Sequence, residues 1–177
     1  VPELAERSLV INGVSKSYAM TGWRIGYGVG PAKLVGAINK LQSQMSSCPS
    51  SISQAAAAAA LTGEQSSIAA SVAVYKERRD RAVALINAVP GLNCTLPDGA
   101  FYLFPSCAGL IGKTTPEGKL IENDLDFVLY LLETAGVASV HGGAYGVEPH
   151  FRISTATSME VIEAACARIA KACADLT

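Results

Sequence analysis

Aromatic rings, charges and metal-binding patterns are all scarce in this sequence. Phe, Trp and Tyr make up 6% of its 177 residues, Asp, Glu, Lys and Arg 16%, and there are only two histidines. Its cysteines (Cys48, Cys94, Cys107, Cys166 and Cys173) are odd in number and contain no C-x-x-C pair. That spacing excludes the common zinc and redox patterns, so they read as buried or incidental reduced thiols in a reducing, cytoplasmic setting. Neither sign of charge dominates: 14 Lys+Arg stand against 15 Asp+Glu, for a net charge of −1. A partner that is nucleic acid or an anionic membrane is therefore not expected. No apolar run approaches the length of a bilayer span, since the most monotonous segment, residues 55–60, is short and reads as close helix packing. Internal repeats are absent, and no secretory signal is visible.

What is present is a globular composition. Half of the residues are hydrophobic and the mean hydropathy is +0.30, enough for one good core or for parts of two domains. Residues 8–12 are short and apolar, as in a buried parallel strand. In residues 23–29, Trp23, Ile25, Tyr27 and Val29 fall on one face of a strand, with Arg24, Gly26 and Gly28 on the other. Glycines beside an arginine leave room for something close to the backbone, which favours a ligand-facing Arg24. Pro31 opens a helix with the stripe Leu34, Val35, Ile38, Leu41 and Met45. Residues 46–53 have the composition of a loop, and a small-residue helix then ends near Gly63. A long amphipathic helix is expected over about 68–89, with Ile68, Val72, Tyr75, Ala82, Ile86 and Val89 on one side, ended by Pro90-Gly91.

Beyond that helix the pattern becomes α+β. Residues 100–104 read as a strand, and Leu125, Val128, Leu129 and Leu132 as a helical stripe ending near Gly136. Residues 137–140 and 150–154 read as short strands. Thr157-Ser158-Met159-Glu160 is a capping-box pattern before a final helix whose buried stripe is Ile162, Ala165, Cys166, Ile169 and Cys173. Residues 113–123 are the best candidate for a mobile loop.

The most informative stretch is Ser15-Lys16-Ser17-Tyr18-Ala19-Met20-Thr21-Gly22-Trp23-Arg24-Ile25-Gly26-Tyr27. It places a lysine in a small-residue turn after the apolar Leu9-Val10-Ile11, and an arginine eight residues later. A carbonyl cofactor that carries a phosphate needs such a pair, an amine for the aldehyde and a fixed cation for the anionic end. The stretch resembles the lysine motif of the class I/II aminotransferases, the fold-type I family that uses pyridoxal 5′-phosphate (PLP). The similarity runs through nearly the whole chain, and is greatest to the aspartate aminotransferase-like members.

The resemblance implies an α/β fold, the C-terminal part of the PLP-dependent transferase fold. Residues 1–70 would be the C-terminal part of the large PLP-binding domain, and 71–177 a connecting helix with the small α+β domain. It implies amino transfer between an amino acid and a 2-oxo acid, PLP as cofactor and a homodimer. Lys16 would be the Schiff-base and proton-carrying lysine, Arg24 the phosphate anchor, and Arg152, in Phe151-Arg152-Ile153-Ser154, the clamp on the substrate carboxylate. Taken singly these residues also suit plainer roles: a solvated lysine, an arginine paired at a strand edge, an arginine salt-bridged on a sheet face. Gly99-Ala100-Phe101-Tyr102 resembles a family strand near the mouth of the site and reads mostly as packing. Two departures stand out. Gly13 occupies the position where many members carry a phosphate-binding hydroxyl, and His141 replaces a usual proline, in a glycine-rich turn where a structural role is expected. The family's partner for the ring nitrogen, its stacking aromatic and its phosphate loop all precede the lysine in relatives, so the resemblance implies a C-terminal half that turns over poorly alone. No arginine occurs in residues 41–53, so a preference for dicarboxylates does not follow. Other reactions on the same scaffold (C–S lyase, decarboxylase or synthase), or a non-catalytic structural or dimerisation role, remain alternatives.

Overall fold

Glycines decide the first sheet. β1 (Val10–Gly13) pairs antiparallel with β2 (Gly26–Val29), with Val10 opposite Val29 and Gly13 opposite Gly26. A Cβ on Gly26 would stand 3.0 Å from the Asn12 carbonyl oxygen, and one on Gly13 3.1 Å from that of Ile25. The space at these two positions is thus taken up by the neighbouring strand, whereas a Cβ on Gly28 would first meet the Ile11 and Leu9 side chains, at 3.4 and 3.5 Å. The computed structural model describes residues 2–177, which fall into two compact units, one running to Ala70 and one from Ser71 to Thr177.

In the first unit the strand expected to be buried and parallel is an exposed strand in an antiparallel ribbon. An apolar run alone does not distinguish the two cases. The connection does, because residues 14–25 form turns and provide no crossover helix. Nor do residues 23–29 form one strand. Thr21–Trp23 is a single 3-10 turn, ended by Arg24 at φ 48°, and pairing begins only at Gly26. Three helices follow: α1 (Ala32–Met45), α2 (Ser51–Thr62) and the start of α3 (Ser66–Asn87). The apolar stripe of α1 buries nothing within the unit, and Met45 is 83% exposed. Helix α2 begins inside the segment expected to be a loop, and its Ser53 and Ala57 are buried. Val14 is the only other buried residue described in this unit.

The second unit has a true core. β3 (Tyr102–Leu103) and β4 (Val140–His141) flank a central β5 (Phe151–Ser154), all antiparallel. α4 (Asp124–Ala135) and α5 (Met159–Ala174) pack with the buried end of α3 around Ile86, Phe127, Leu131, Phe151 and Ile169. The Phe127 and Phe151 rings meet edge to face at 5.3 Å. Helix α4 turns a different face inward from the one expected. Leu125, Leu129 and Leu132 are exposed, whereas Asp124, Phe127, Val128 and Leu131 are buried. It is apolar on both sides, so periodicity cannot choose, and the larger Phe127 fills the core. In α5, Ile162, Cys166, Ile169 and Cys173 are buried as expected. Its N-cap is Ser158, whose Oγ accepts from the Val161 N–H at 3.4 Å, one residue later than the capping-box reading.

Residues 113–123 form a pinned hairpin in place of the expected mobile loop. The Ile121 N–H donates to the Lys113 carbonyl at 2.9 Å, Thr114 exchanges backbone bonds with Thr177, and the Ile121 side chain has no exposed surface. Its apolar anchor is Ile121 alone, since the neighbouring Leu120 is exposed, and one buried apolar side chain in a mostly polar segment is a weak signal in sequence.

All five thiols are free, with Cys48 exposed and the other four buried. Burial pushes Cys107 up to about 12, with a smaller push from Asp124, and burial also raises Cys173 to about 12. Below an ordinary thiol value of about 9, folded and unfolded chains alike hold these protons. Between there and about 12 the unfolded chain releases them first, so stability falls with rising pH, by up to about 1.4 kcal/mol per pH unit for each thiol. The urea midpoint should therefore be lower at pH 10.5 than at pH 8, and Cys107→Ala should flatten that dependence. An unchanged slope in the variant would contradict this account.

Candidate active site

Lys16 lies in the turn that follows β1. Val14, fully buried, fixes the start of the turn, and the chain closes through Tyr18 N–H to the Val14 carbonyl at 3.3 Å and Ala19 N–H to the Lys16 carbonyl at 3.1 Å. The Tyr18 hydroxyl donates to Gln65 Oε1 at 2.8 Å, tying the turn to the segment after α2. Lys16 itself is exposed within the unit. Ala19 has φ 53° and Arg24 φ 48°, two of the four non-glycine residues with positive φ among the described residues. Left-handed backbone is uncommon for such residues and gathers at functional sites. Arg24 is held there by Thr21, whose carbonyl accepts both the Arg24 N–H at 3.4 Å and its Nη1 at 3.0 Å. A guanidinium has five N–H donors, so this anchoring leaves others for an anion. Among the described residues Arg24 makes no ion pair. The Gly13 N–H, at the position where relatives carry a hydroxyl, is taken by Asn12 Oδ1 at 2.7 Å.

Arg152 belongs to the second unit, at the second position of β5, half-buried and opposite Val140. Its guanidinium carbon lies 4.5 Å from the centre of the Tyr102 ring and 5.0 Å from that of Tyr145. No ion pair among the described residues involves it, so the salt-bridged alternative does not hold within this unit. Sequence reasoning misses both tyrosines. It gives Tyr102 to packing and Tyr145 to a structural turn, and only strand pairing brings them to the arginine.

The turn that carries Tyr145 is built on Asp124, which is 1% exposed at the start of α4. Its Oδ2 accepts the N–H of Gly143 at 3.1 Å and of His150 at 3.2 Å, while Oδ1 lies 3.7 Å from His141 Nδ1. The His141 departure thus meets a buried carboxylate, in keeping with a structural role. Gly142 admits no side chain, because a Cβ would run into the Val147 carbonyl and stand 2.9 Å from His150. Asp124 is invisible in the sequence, one of three acids, with Glu122 and Asp126, around the first turn of an apolar helix. Among the described residues no cluster of His, Cys, Asp and Glu could hold a metal, and no helix is long and apolar enough to cross a membrane.

An amine in a fixed turn, a strained arginine and a second arginine between aromatic rings are set in a chain with clear relatives. The model of the family described as aminotransferase class I and II matches residues 2–169. A probable aspartate/prephenate aminotransferase of Rhizobium leguminosarum bv. phaseoli is 54% identical over 97% of the chain, which covers 43% of that relative. An aspartate/prephenate aminotransferase of Cereibacter sphaeroides is 49% identical over 99% of the chain and is 44% covered. The crystal structure of the aspartate aminotransferase from Rhizobium meliloti superposes with a TM-score of 0.97 at 53% identity, over 100% of this chain and 44% of that one. The chain therefore spans less than half the length of these relatives. Its α/β architecture is a portion of the aminotransferase fold, and the chain belongs to the class I and II aminotransferases.

Proposed function

We propose that this chain is the C-terminal part of a PLP-dependent aminotransferase of the aspartate aminotransferase-like kind, exchanging an amino group between an amino acid and a 2-oxo acid as a homodimer. In this reading residues 1–70 close the large cofactor domain, and residues 71–177 are the connecting helix and small domain. The observation that carries it is the Lys16 turn together with the left-handed Arg24, whose backbone and side chain both hold the Thr21 carbonyl. A strained arginine kept free of carboxylates is what a phosphate site needs.

The donor set fits PLP: one amine for an aldehyde, and a guanidinium whose remaining N–H groups match phosphate oxygens in parallel pairs. When bound, PLP supplies an electron sink for the charge left on a substrate carbon that loses its proton. Lys16 would hold the cofactor through Nζ. As a free amine it would take the proton from the substrate Cα as general base and, as general acid, deliver it away from Cα, as amino transfer requires. Arg24 would hold the phosphate through paired N–H groups of its guanidinium. Arg152 grips the substrate carboxylate with two parallel N–H groups, which orients the Cα–H bond. An amino acid and a 2-oxo acid share that carboxylate, so one clamp serves both directions.

The test is a PLP titration of the 177-residue chain, followed by borohydride reduction and peptide mass spectrometry. A pyridoxyl group confined to the peptide containing Lys16 is expected. Adducts spread over surface lysines such as Lys33 and Lys40, with Lys16 not preferred, would overturn the assignment of Lys16.

A further inference from the structure

Rings are few in this chain, yet several gather around one cation. Phe101 lies 4.6 Å from Tyr102, Tyr102 is 4.5 Å from the Arg152 guanidinium, and Arg152 is 5.0 Å from Tyr145. Tyr145 then meets Phe104 edge-on at 5.9 Å, and Phe104 stacks on His150 at 5.2 Å. The fold explains the convergence. On the central strand β5, side chains two apart share a face, and Tyr102 pairs with Ser154, so its ring lies diagonally beside Arg152. Tyr145 approaches from beyond β4, the strand on the other side. Its turn is pinned to Asp124 and closed by the Gly142 N–H on the His150 carbonyl at 2.6 Å.

We propose that Tyr102 and Tyr145 are positioning residues for Arg152, holding its guanidinium through their ring faces so that its N–H edges stay uncommitted for a carboxylate. The inference rests on the carboxylate-binding role proposed for Arg152 above. A cation on a ring is attracted by the ring's quadrupole and gives up no N–H donor. A neighbouring Asp or Glu would fix the arginine as firmly, but would occupy the donors that the substrate needs. No hydrogen bond or ion pair holds this side chain among the described residues, so the two rings are its fixed contacts. Each ring is backed by another, Tyr102 by Phe101 and Tyr145 by Phe104. A flexible arginine loses more freedom on binding than one already held, which is where the gain in affinity arises.

The experiment follows the Arg152 Nε–Hε resonance of the 177-residue chain by NMR during titration with succinate, with Arg152→Ala identifying the peak. In the unsubstituted chain this proton should be displaced by the rings and should move as succinate binds. Tyr102→Leu with Tyr145→Leu should return it toward the position of free arginine and weaken succinate binding about tenfold. Tyr102→Phe with Tyr145→Phe keeps both rings and should restore affinity to within about twofold. That rescue separates positioning from general packing. Equal binding by the double leucine variant, with binding abolished in Arg152→Ala, would overturn the positioning role and leave the carboxylate role intact. Binding unaffected by Arg152→Ala, or absent from the unsubstituted chain, would overturn the carboxylate role and this inference with it.

Discussion

Lys16→Ala will abolish the borohydride-stable pyridoxyl adduct, and Arg24→Ala will weaken PLP uptake about 10- to 100-fold without moving the point of attachment. The first effect is all-or-none, because the covalent link needs an amine and alanine supplies none. The second follows from the strength of a charge-assisted pair: hydrogen bonds to charged groups contribute about 1.5–3 kcal/mol, or roughly one to two powers of ten in affinity. Arg24→Lys should recover little, since a point charge cannot reproduce the paired donors of a guanidinium. Arg24→Gly gives the sharper contrast. Glycine accepts φ 48° without the penalty an L side chain meets there. That variant should keep the melting temperature of the parent chain while losing uptake as the alanine variant does. Thermal melts and PLP titrations on the same samples decide this. A large loss of stability in Arg24→Gly would mean that the arginine serves the fold and not an anion.

Asp124→Ala is expected to destabilise the second unit by about 3–5 kcal/mol, the loss typical when one partner of a buried charged network is removed. The carboxylate is the acceptor for two backbone N–H groups, those of Gly143 and His150. Alanine leaves both without an acceptor, in a site where Asp124 itself is 1% exposed. It also removes the carboxylate that lies 3.7 Å from His141 Nδ1 and a negative group from the first turn of α4, where the helix dipole favours one. Asp124→Asn keeps a carbonyl oxygen and should cost roughly half as much. Urea unfolding of the three proteins measures both numbers. Since Asp124 supports the turn that carries Tyr145, the asparagine variant should also loosen Arg152, visible as a shift of its Nε–Hε resonance. An Asp124→Ala chain as stable as its parent would show that water replaces the carboxylate without cost.

Family and local order are legible in the sequence itself. The family motif in the Lys16-to-Arg24 stretch, the stop at Pro90-Gly91 and the buried stripe of α5 each rest on a few adjacent residues or on one clear period. Topology is not legible in that way. Residues 8–12 read as a buried parallel strand because apolar content says nothing about direction, and the antiparallel return is set by how residues 14–25 turn. Arg24 reads as a strand residue because alternation survives on paper across a 3-10 turn. Helix α4 offers two apolar faces, and only the shape of the cavity around Phe127 and Leu131 chooses between them. Asp124 carries no signal because its partners, Gly143 and His150, lie 19 and 26 residues away.

Residue identity therefore set the family and the chemical inventory of the candidate site: the amine of Lys16 and the guanidinium groups of Arg24 and Arg152. Those are properties of side chains and short-range order, which a linear chain already contains. Tertiary structure decided how the inventory is presented. It bent Arg24 into a left-handed backbone gripping Thr21, filled the gaps at Gly13 and Gly26 with a partner strand, and set Tyr102 and Tyr145 beside Arg152. Each of these depends on contacts between distant residues or on a backbone angle imposed by its surroundings. No pattern of composition or spacing encodes them singly, because their energies exist only once the strands have paired and the core has closed.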